Sequence, residues 1–245
     1  TAQKQPFSSA SLWYEHPAAD WNEALPVGNG RLGAMVFGQV ETERLQLNES
    51  TVWAGEPEDF INPAAREVLP LVRMMLFSGQ YAEAQKLAQE RMMGHKPTHS
   101  RYQTLGDLYI DFGKEHAANI TDYQRYLDID SAVAGVRYRS GGITFSREIF
   151  SSAPDQALVL RLQTDQPGAL SVGLRLSRPG GFARLEMVGH DIILREHVDR
   201  GHGVQLVARL RVVQDGGALT LQDSVLRIDK ANRITIFLTA ATDYW

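Results

Sequence analysis

From Ile143 onward the chain repeats one pattern: short runs of alternating apolar and polar residues, cut by Gly, Pro and Asp. Period-two alternation puts every second side chain on one face, as a half-buried antiparallel strand requires. The runs are Ile143–Phe150, Ala157–Gln163, Ala169–Leu176, Phe182–Val188, Ile192–Glu196, Gly203–Val213, Ala218–Leu221, Val225–Ile228 and Arg233–Ala240. Breaks such as Arg178-Pro179-Gly180-Gly181 and Asp215-Gly216-Gly217 separate them. Breaks every 8–12 residues or so read as a sandwich or barrel and not as βαβ units. Over the whole chain about fifteen runs qualify, against seven to nine in an immunoglobulin sandwich. The expected fold is mainly β: a large two-sheet antiparallel β-sandwich, or super-sandwich.

One segment departs from this period. Asn62-Pro63 reads as an N-cap followed by Pro at the first helical position. Val68, Leu69, Val72, Met75 and Leu76 then share one helix face. Pro70 lies inside this run and is expected to kink it or to limit its first turn. Ser78-Gly79 divides it from a second helix striped by Tyr81, Ala84, Ala88, Arg91 and Met92, with Gly94 suited to the C′ position. A small helical hairpin insertion at about 63–93 is therefore expected. With 245 residues the chain is one large domain or two small ones. The strand count favours a single domain over 1–245, with a flexible segment at 1–9.

Composition narrows function by exclusion. Twenty-five basic residues against 29 acidic ones give a net charge of −4, no electrostatic footprint for nucleic acid or an anionic membrane. No apolar run approaches the ~20 residues of a membrane span. Cysteine is absent, which excludes disulfides, thiol catalysis and cysteine-ligated metals. The polar start Thr1-Ala2-Gln3-Lys4-Gln5-Pro6 lacks the apolar core of a signal peptide.

Gly28-Asn29-Gly30-Arg31-Leu32-Gly33 matches G-x-G-x-x-G, but a dinucleotide site needs a helix after the motif. The next stretch, Ala34–Gly38, is strand-like, so the motif reads as a glycine-rich loop entering a hairpin. His95 and His99 have a helical zinc spacing that Pro97 interrupts, and His197 and His202 flank Asp199 in a loop. Neither pair is read as a metal site, and no cofactor is expected. Asp128 and Asp130 read as a solvated strand face or, more rarely, as calcium ligands. Glu41 and Glu43 read as solubility charges at a hairpin turn. Glu49, in Leu47-Asn48-Glu49-Ser50-Thr51-Val52-Trp53, reads as a capped turn after a strand, although Asn, Glu and Trp together can also grip a sugar. Asn48-Glu49-Ser50 and Asn119-Ile120-Thr121 match the N-glycosylation sequon. Trp13, Trp21 and Trp53 are read first as core residues, with stacking on a pyranose as the alternative.

Leu12–Gly38, which opens Leu12-Trp13-Tyr14-Glu15-His16-Pro17, resembles the start of glycoside hydrolase family 95, the α-L-fucosidase and α-L-galactosidase family. Leu45-Gln46-Leu47-Asn48-Glu49-Ser50-Thr51-Val52-Trp53-Ala54-Gly55 is similar to the family's L-Q-L-N-E-S-T-L-W-S-G, with Val52 and Ala54 as departures. Tyr102-Gln103-Thr104-Leu105-Gly106-Asp107-Leu108 resembles Y-Q-P-L-G-D-L, with Thr104 in place of Pro. Tyr126–Ala132 and Arg147–Ser152 complete the set. The resemblance covers residues of about 10–245 and implies the N-terminal β-sandwich of a much longer inverting α-L-fucosidase. In that family the general acid and base belong to an (α/α) barrel, so no catalytic residue is carried over to this chain.

The implied partners are the catalytic (α/α) barrel of the same polypeptide and, through it, a fucosylated glycan, with no nucleic acid or membrane. The implied compartment is the periplasm or the exterior of a bacterium. Trp21, Asn29, Arg31, Asn48, Glu49 and Trp53 are the candidates for the rim of the sugar site or for the domain interface. An exposed apolar patch is expected where the barrel docks. The alternative is a stand-alone carbohydrate-binding module of sandwich type.

Overall fold

A computed structural model describes residues 10–56, 59–94 and 101–244. The 1–9 segment, His95 and His99 lie outside them. The chain divides into two compact units: residues 1–53 with 102–245, and residues 54–101.

The first unit holds two large antiparallel sheets. The nine-stranded sheet runs, edge to edge, Ser11–Tyr14, Ile120–Asp128, Val133–Ser140, Ile143–Ser152, Ala157–Thr164, Arg233–Thr242, Gln205–Asp215, Asp191–His197 and Arg184–Val188. The seven-stranded sheet runs Ala218–Gln222, Val225–Ala231, Leu170–Ser177, Gly106–Asp111, Thr42–Glu49, Leu32–Val36 and Leu25–Gly28. With two further short strands, eighteen are assigned among the described residues, against about fifteen expected. Every run named from Ile143 onward is a strand, displaced by at most three residues at either end.

Alternation places the core. Ile149, Leu160, Leu162, Ile234, Ile236, Leu238 and Leu210 are buried from the larger sheet, and Leu45, Leu47, Leu108, Ile110, Leu174 and Ile228 from the smaller. Between them their neighbours in sequence face outward. Side chains tie the layers directly: Ser151 Oγ donates to Leu32 O at 2.8 Å.

The core also contains charge. Glu43 is fully buried and bonded to Arg147, itself buried. The solubility reading of Glu43 is therefore corrected. Its strand continues inward from the turn, and Thr42–Glu49 buries every second residue starting with Glu43. The Arg147 guanidinium also lies over the Phe112 ring at 4.7 Å and donates to Tyr138 Oη at 3.2 Å. Tyr138 Oη lies 2.7 Å from His116 Nε2. Burial raises the Glu43 carboxyl above its usual range, although Arg147 and three backbone N–H groups oppose it. Burial, and then the Arg147 charge, lowers the His116 imidazole to about 4.

The second unit is a helical hairpin of Ala64–Phe77 and Tyr81–Arg91. Asn62 Oδ1 accepts from Ala64 N–H at 3.0 Å, while its amide donates to Arg91 O and Met93 O. The first helix closes with a Schellman motif: Gln80 N–H donates to Met75 O at 2.9 Å and Gly79 N–H to Leu76 O at 3.1 Å. Gly79 takes the positive φ of +75° that this motif needs. The helix continues through Pro70 without a break in the element. Gly94 is not at C′: the helix ends at Arg91 with Met92 as its C-cap, and a Cβ on Gly94 would stand 2.5 Å from Phe60 O. Within this unit Val72 and Ala84 are buried, whereas Ile61, Leu71, Met74, Leu76 and Phe77 are exposed.

Candidate functional site

The glycine-rich stretch is a hairpin tip. Leu25–Gly28 pairs with Leu32–Val36, and Gly28 faces Gly33. Gly30 holds φ +93°, and a Cβ on Gly33 would lie 2.8 Å from Val27 O. The glycines thus serve a tight turn and a close strand pair, and the element after them is a strand, with no helix N-terminus to hold a pyrophosphate.

Register carries the other motifs to the same place. Leu32 pairs with Glu49 and Gly33 with Asn48. Leu47 then pairs with Gly106. Leu105 N–H donates to Leu47 O at 3.0 Å, and Gln103 N–H to Val52 O at 2.9 Å. Pro26–Gly33, Leu45–Trp53 and Tyr102–Leu108 therefore assemble at one end of the smaller sheet. They border a depression of about 220 Å³ lined by Gly30, Arg31, Asn48, Ser50 and Tyr102.

Beneath it lies a polar brace. Asn29 Oδ1 accepts from Arg31 N–H at 3.0 Å and Leu32 N–H at 2.8 Å, folding the tip. Asn29 Nδ2 donates to Ser152 O at 2.9 Å, on the opposite sheet. Arg31 reaches the same sheet: Nη1 donates to Ala240 O at 2.8 Å and Nε to Gln156 Oε1 at 2.6 Å. Its Nη1 also bonds Glu49 Oε1 at 3.0 Å. Glu49 is fully buried. Its second oxygen accepts from Thr51 N–H at 2.8 Å and Thr51 Oγ1 at 2.6 Å. Thr51 Oγ1 in turn meets Thr242 Oγ1 at 2.5 Å. The capped-turn reading of Glu49 holds, and the carboxylate has the added task of pinning Arg31.

The rim is built from what the brace leaves outward. Trp53 Nε1 donates to Ser50 O at 3.0 Å, and its ring meets Tyr102 edge-on at 5.7 Å. Tyr102 Oη donates to Asn48 Oδ1 at 3.4 Å. Burial, reinforced by the nearby Glu49 charge, raises the Tyr102 hydroxyl, so it remains a donor. The depression thus presents an amide, hydroxyls, backbone groups and an aromatic edge, a set suited to hydroxyl-rich ligands.

Five of the six candidate residues gather here: Asn29, Arg31, Asn48, Glu49 and Trp53. Trp21 does not. It sits in a short 3-10 turn, Trp21–Glu23, before the Leu25–Gly28 strand, whose Leu25 end is far from the tip. Trp21 is 53% exposed and Trp13 is 50% exposed, which corrects the core reading of both. Asp128 and Asp130 do not share a strand face either: the strand ends at Asp128, whose Oδ1 accepts from Asp130 N–H in the following turn. Tyr102, Thr51, Gln156 and Thr242 join the site although sequence reasoning did not select them. Tyr102 at least carried a signal, the aromatic opening of its motif. Among the described residues no three His, Asp or Glu side chains gather as a metal site. Among them also no helix is long and apolar enough to cross a membrane.

The model of the glycosyl hydrolase family 65 N-terminal domain matches residues 12–245. The chain belongs to this family. This family 65 N-terminal-domain chain is 40% identical over 257 residues to Alpha-L-fucosidase 2 of Arabidopsis thaliana, covering 95% of this chain and 30% of that protein. It is 30% identical over 253 residues to the "Probable alpha-fucosidase A" of Aspergillus niger, covering 97% of this chain and 31% of that protein. The chain thus spans about a third of the length of the curated relatives it matches. Among solved structures, a candidate kojibiose phosphorylase from the human microbiome superposes with a TM-score of 0.49 at 10% identity, covering 96% of this chain and 32% of that one.

Proposed function

We propose that this chain is the non-catalytic N-terminal sandwich, one domain over 1–245, of an inverting α-L-fucosidase of glycoside hydrolase family 95. In this reading it packs against an (α/α) barrel in the same polypeptide, and the depression at the hairpin tip shapes the rim of the sugar site. The observation that carries the reading is convergence. The three segments most like that family, separated along the chain, meet around one hydroxyl-compatible depression.

Two further facts support it. Each buried carboxylate among the described residues is paired with arginine: Glu43, Glu49, Asp107, Asp191 and Glu196. An inverting hydrolase needs two carboxyl groups roughly 6.5–9.5 Å apart with access to substrate, and these are committed to the fold. The second unit leaves an apolar set exposed, including Phe77 at 92% and Ile61 at 74%. Such surface fits a covering domain. The proposed compartment is the periplasm or the exterior of a bacterium.

Release of L-fucose from an aryl α-L-fucoside tests the reading. The 245-residue chain should give no turnover above the blank, and the polypeptide extended through its downstream helical region should give turnover. Activity in the short chain, or none in the long one, overturns it. In the long form Tyr102→Ala and Asn48→Ala should raise KM more than they lower kcat, as loss of rim contacts predicts.

A further inference from the structure

The outer face of the nine-stranded sheet carries a second concavity, a groove of about 340 Å³. Inward neighbours Val136, Arg147, Ile149 and Leu162 are buried, so Arg137, Ser146, Glu148 and Gln163 point outward. Register aligns them in rows. Gln124, Arg137, Ser146 and Gln163 follow one another across four strands. In the adjacent row stand Tyr126, Gly135 and Glu148.

Two local features shape this groove. A Cβ on Gly135 would stand 2.2 Å from the Tyr126 Cζ and 2.4 Å from its Oη. The Tyr126 ring therefore lies across the Gly135 backbone, in space that only glycine leaves. A bulge interrupts the ladder between Thr121 and Gln124, with Asp122 at φ +54°. A bulge bends its strand and re-aims the following side chain, here Gln124 on the groove wall.

We propose that this groove binds a neutral oligosaccharide, with one pyranose on the Tyr126 ring and its neighbours hydrogen-bonded by Gln124, Arg137, Ser146, Glu148 and Gln163. A pyranose offers an apolar C–H face and a rim of hydroxyls that donate and accept. An aromatic face matches the first, and a mixed row of amide, guanidinium, hydroxyl and carboxylate matches the second. Charge decides against an anionic ligand, because Arg137 is opposed by the Glu148 carboxylate within the same lining. Length fits as well: strands spaced about 4.8 Å apart make the four-strand row roughly 14 Å long, about two to three sugar residues. Trp13 pairs with Tyr126 on the edge strand and is half exposed, so the aromatic floor extends toward the sheet edge.

This inference stands apart from the fucosidase reading, because the ligand is defined by its hydroxyl pattern and not by fucose. The test is an amide-resonance titration of the 245-residue chain with 2′-fucosyllactose, lactose and cellotetraose, each to about 20 mM, where a Kd near 1 mM saturates. Saturable shifts should appear in 124–126, 135–137, 146–148 and 163 for at least one sugar. Glu148→Gln and Gln163→Ala, half-buried polar changes on the outward face that leave the core side chains in place, should each weaken binding by about tenfold. Tyr126→Ala should abolish it. No saturable shift with any of the three sugars overturns the proposal, as does binding that Glu148→Gln and Gln163→Ala leave unchanged. Shifts confined to the hairpin-tip depression also overturn it and would instead favour the rim reading. Failure here leaves the fucose-release result untouched, and the reverse also holds.

Discussion

Glu43 shows how a single buried charge ties the layers together. Its carboxylate meets Arg147 from the opposite sheet in a site closed to water. Removing one partner of such a pair leaves the other uncompensated, which typically costs about 3–5 kcal/mol. Glu43→Ala should therefore lower the unfolding free energy by about that amount in urea titrations, whereas the volume-conserving pair Glu43→Met with Arg147→Met should recover most of it. His116 makes a pH prediction. Its folded pKa of about 4 lies below the usual 6.5, so the unfolded chain takes up the proton first. This contribution to stability is complete above the usual value and is lost as pH falls toward about 4. His116→Gln should flatten the fall in Tm across that window in calorimetric scans. Glu43, raised by burial, acts with the opposite sign, losing stability as pH rises through its own window.

Among the secondary-structure elements, the hairpin tip and the helical hairpin respond in opposite ways to small residues. At Gly33 a methyl group would press on Val27 O at 2.8 Å in a paired strand. Gly33→Ala should cost about 1–3 kcal/mol, the usual range for overpacking, and should disturb Asn48 amide resonances across the ladder. Pro70 lies within the Ala64–Phe77 helix, where proline removes one hydrogen bond. Pro70→Ala should slow amide exchange along that helix, with a gain of up to about 3 kcal/mol in local opening energy. The helix is continuous, with the Asn62 cap and the Schellman closure fixing its two ends.

Across the whole molecule, burial is uneven. The sandwich buries aliphatic side chains on both inner faces, whereas the hairpin helices bury only Val72 and Ala84 fully. Local opening energy follows buried apolar surface. Hydrogen exchange should therefore show residues 64–91 exchanging well before the strands Ala157–Thr164, Gln205–Asp215 and Arg233–Thr242. Equal protection throughout would mean that the two units open together.

Strand class and most strand limits are legible in the linear chain, because period-two alternation and Gly, Pro and Asp breaks are local properties. Motif spacing also marks Asn29, Arg31, Asn48 and Glu49, and the strand-like run after Gly33 is enough to reject a dinucleotide site. That Glu43 is a core charge is not legible there, since its partner Arg147 is 104 residues away. Likewise, Thr51 meets Thr242 across 191 residues, and Arg31 meets Ala240 across 209. Trp13 and Trp21 escape sequence reasoning for the same reason. An indole's own sequence neighbourhood does not say whether another layer covers it. Periodicity assigns a residue to a face, but which face meets a partner, and at what register, is set by strand pairing between distant segments.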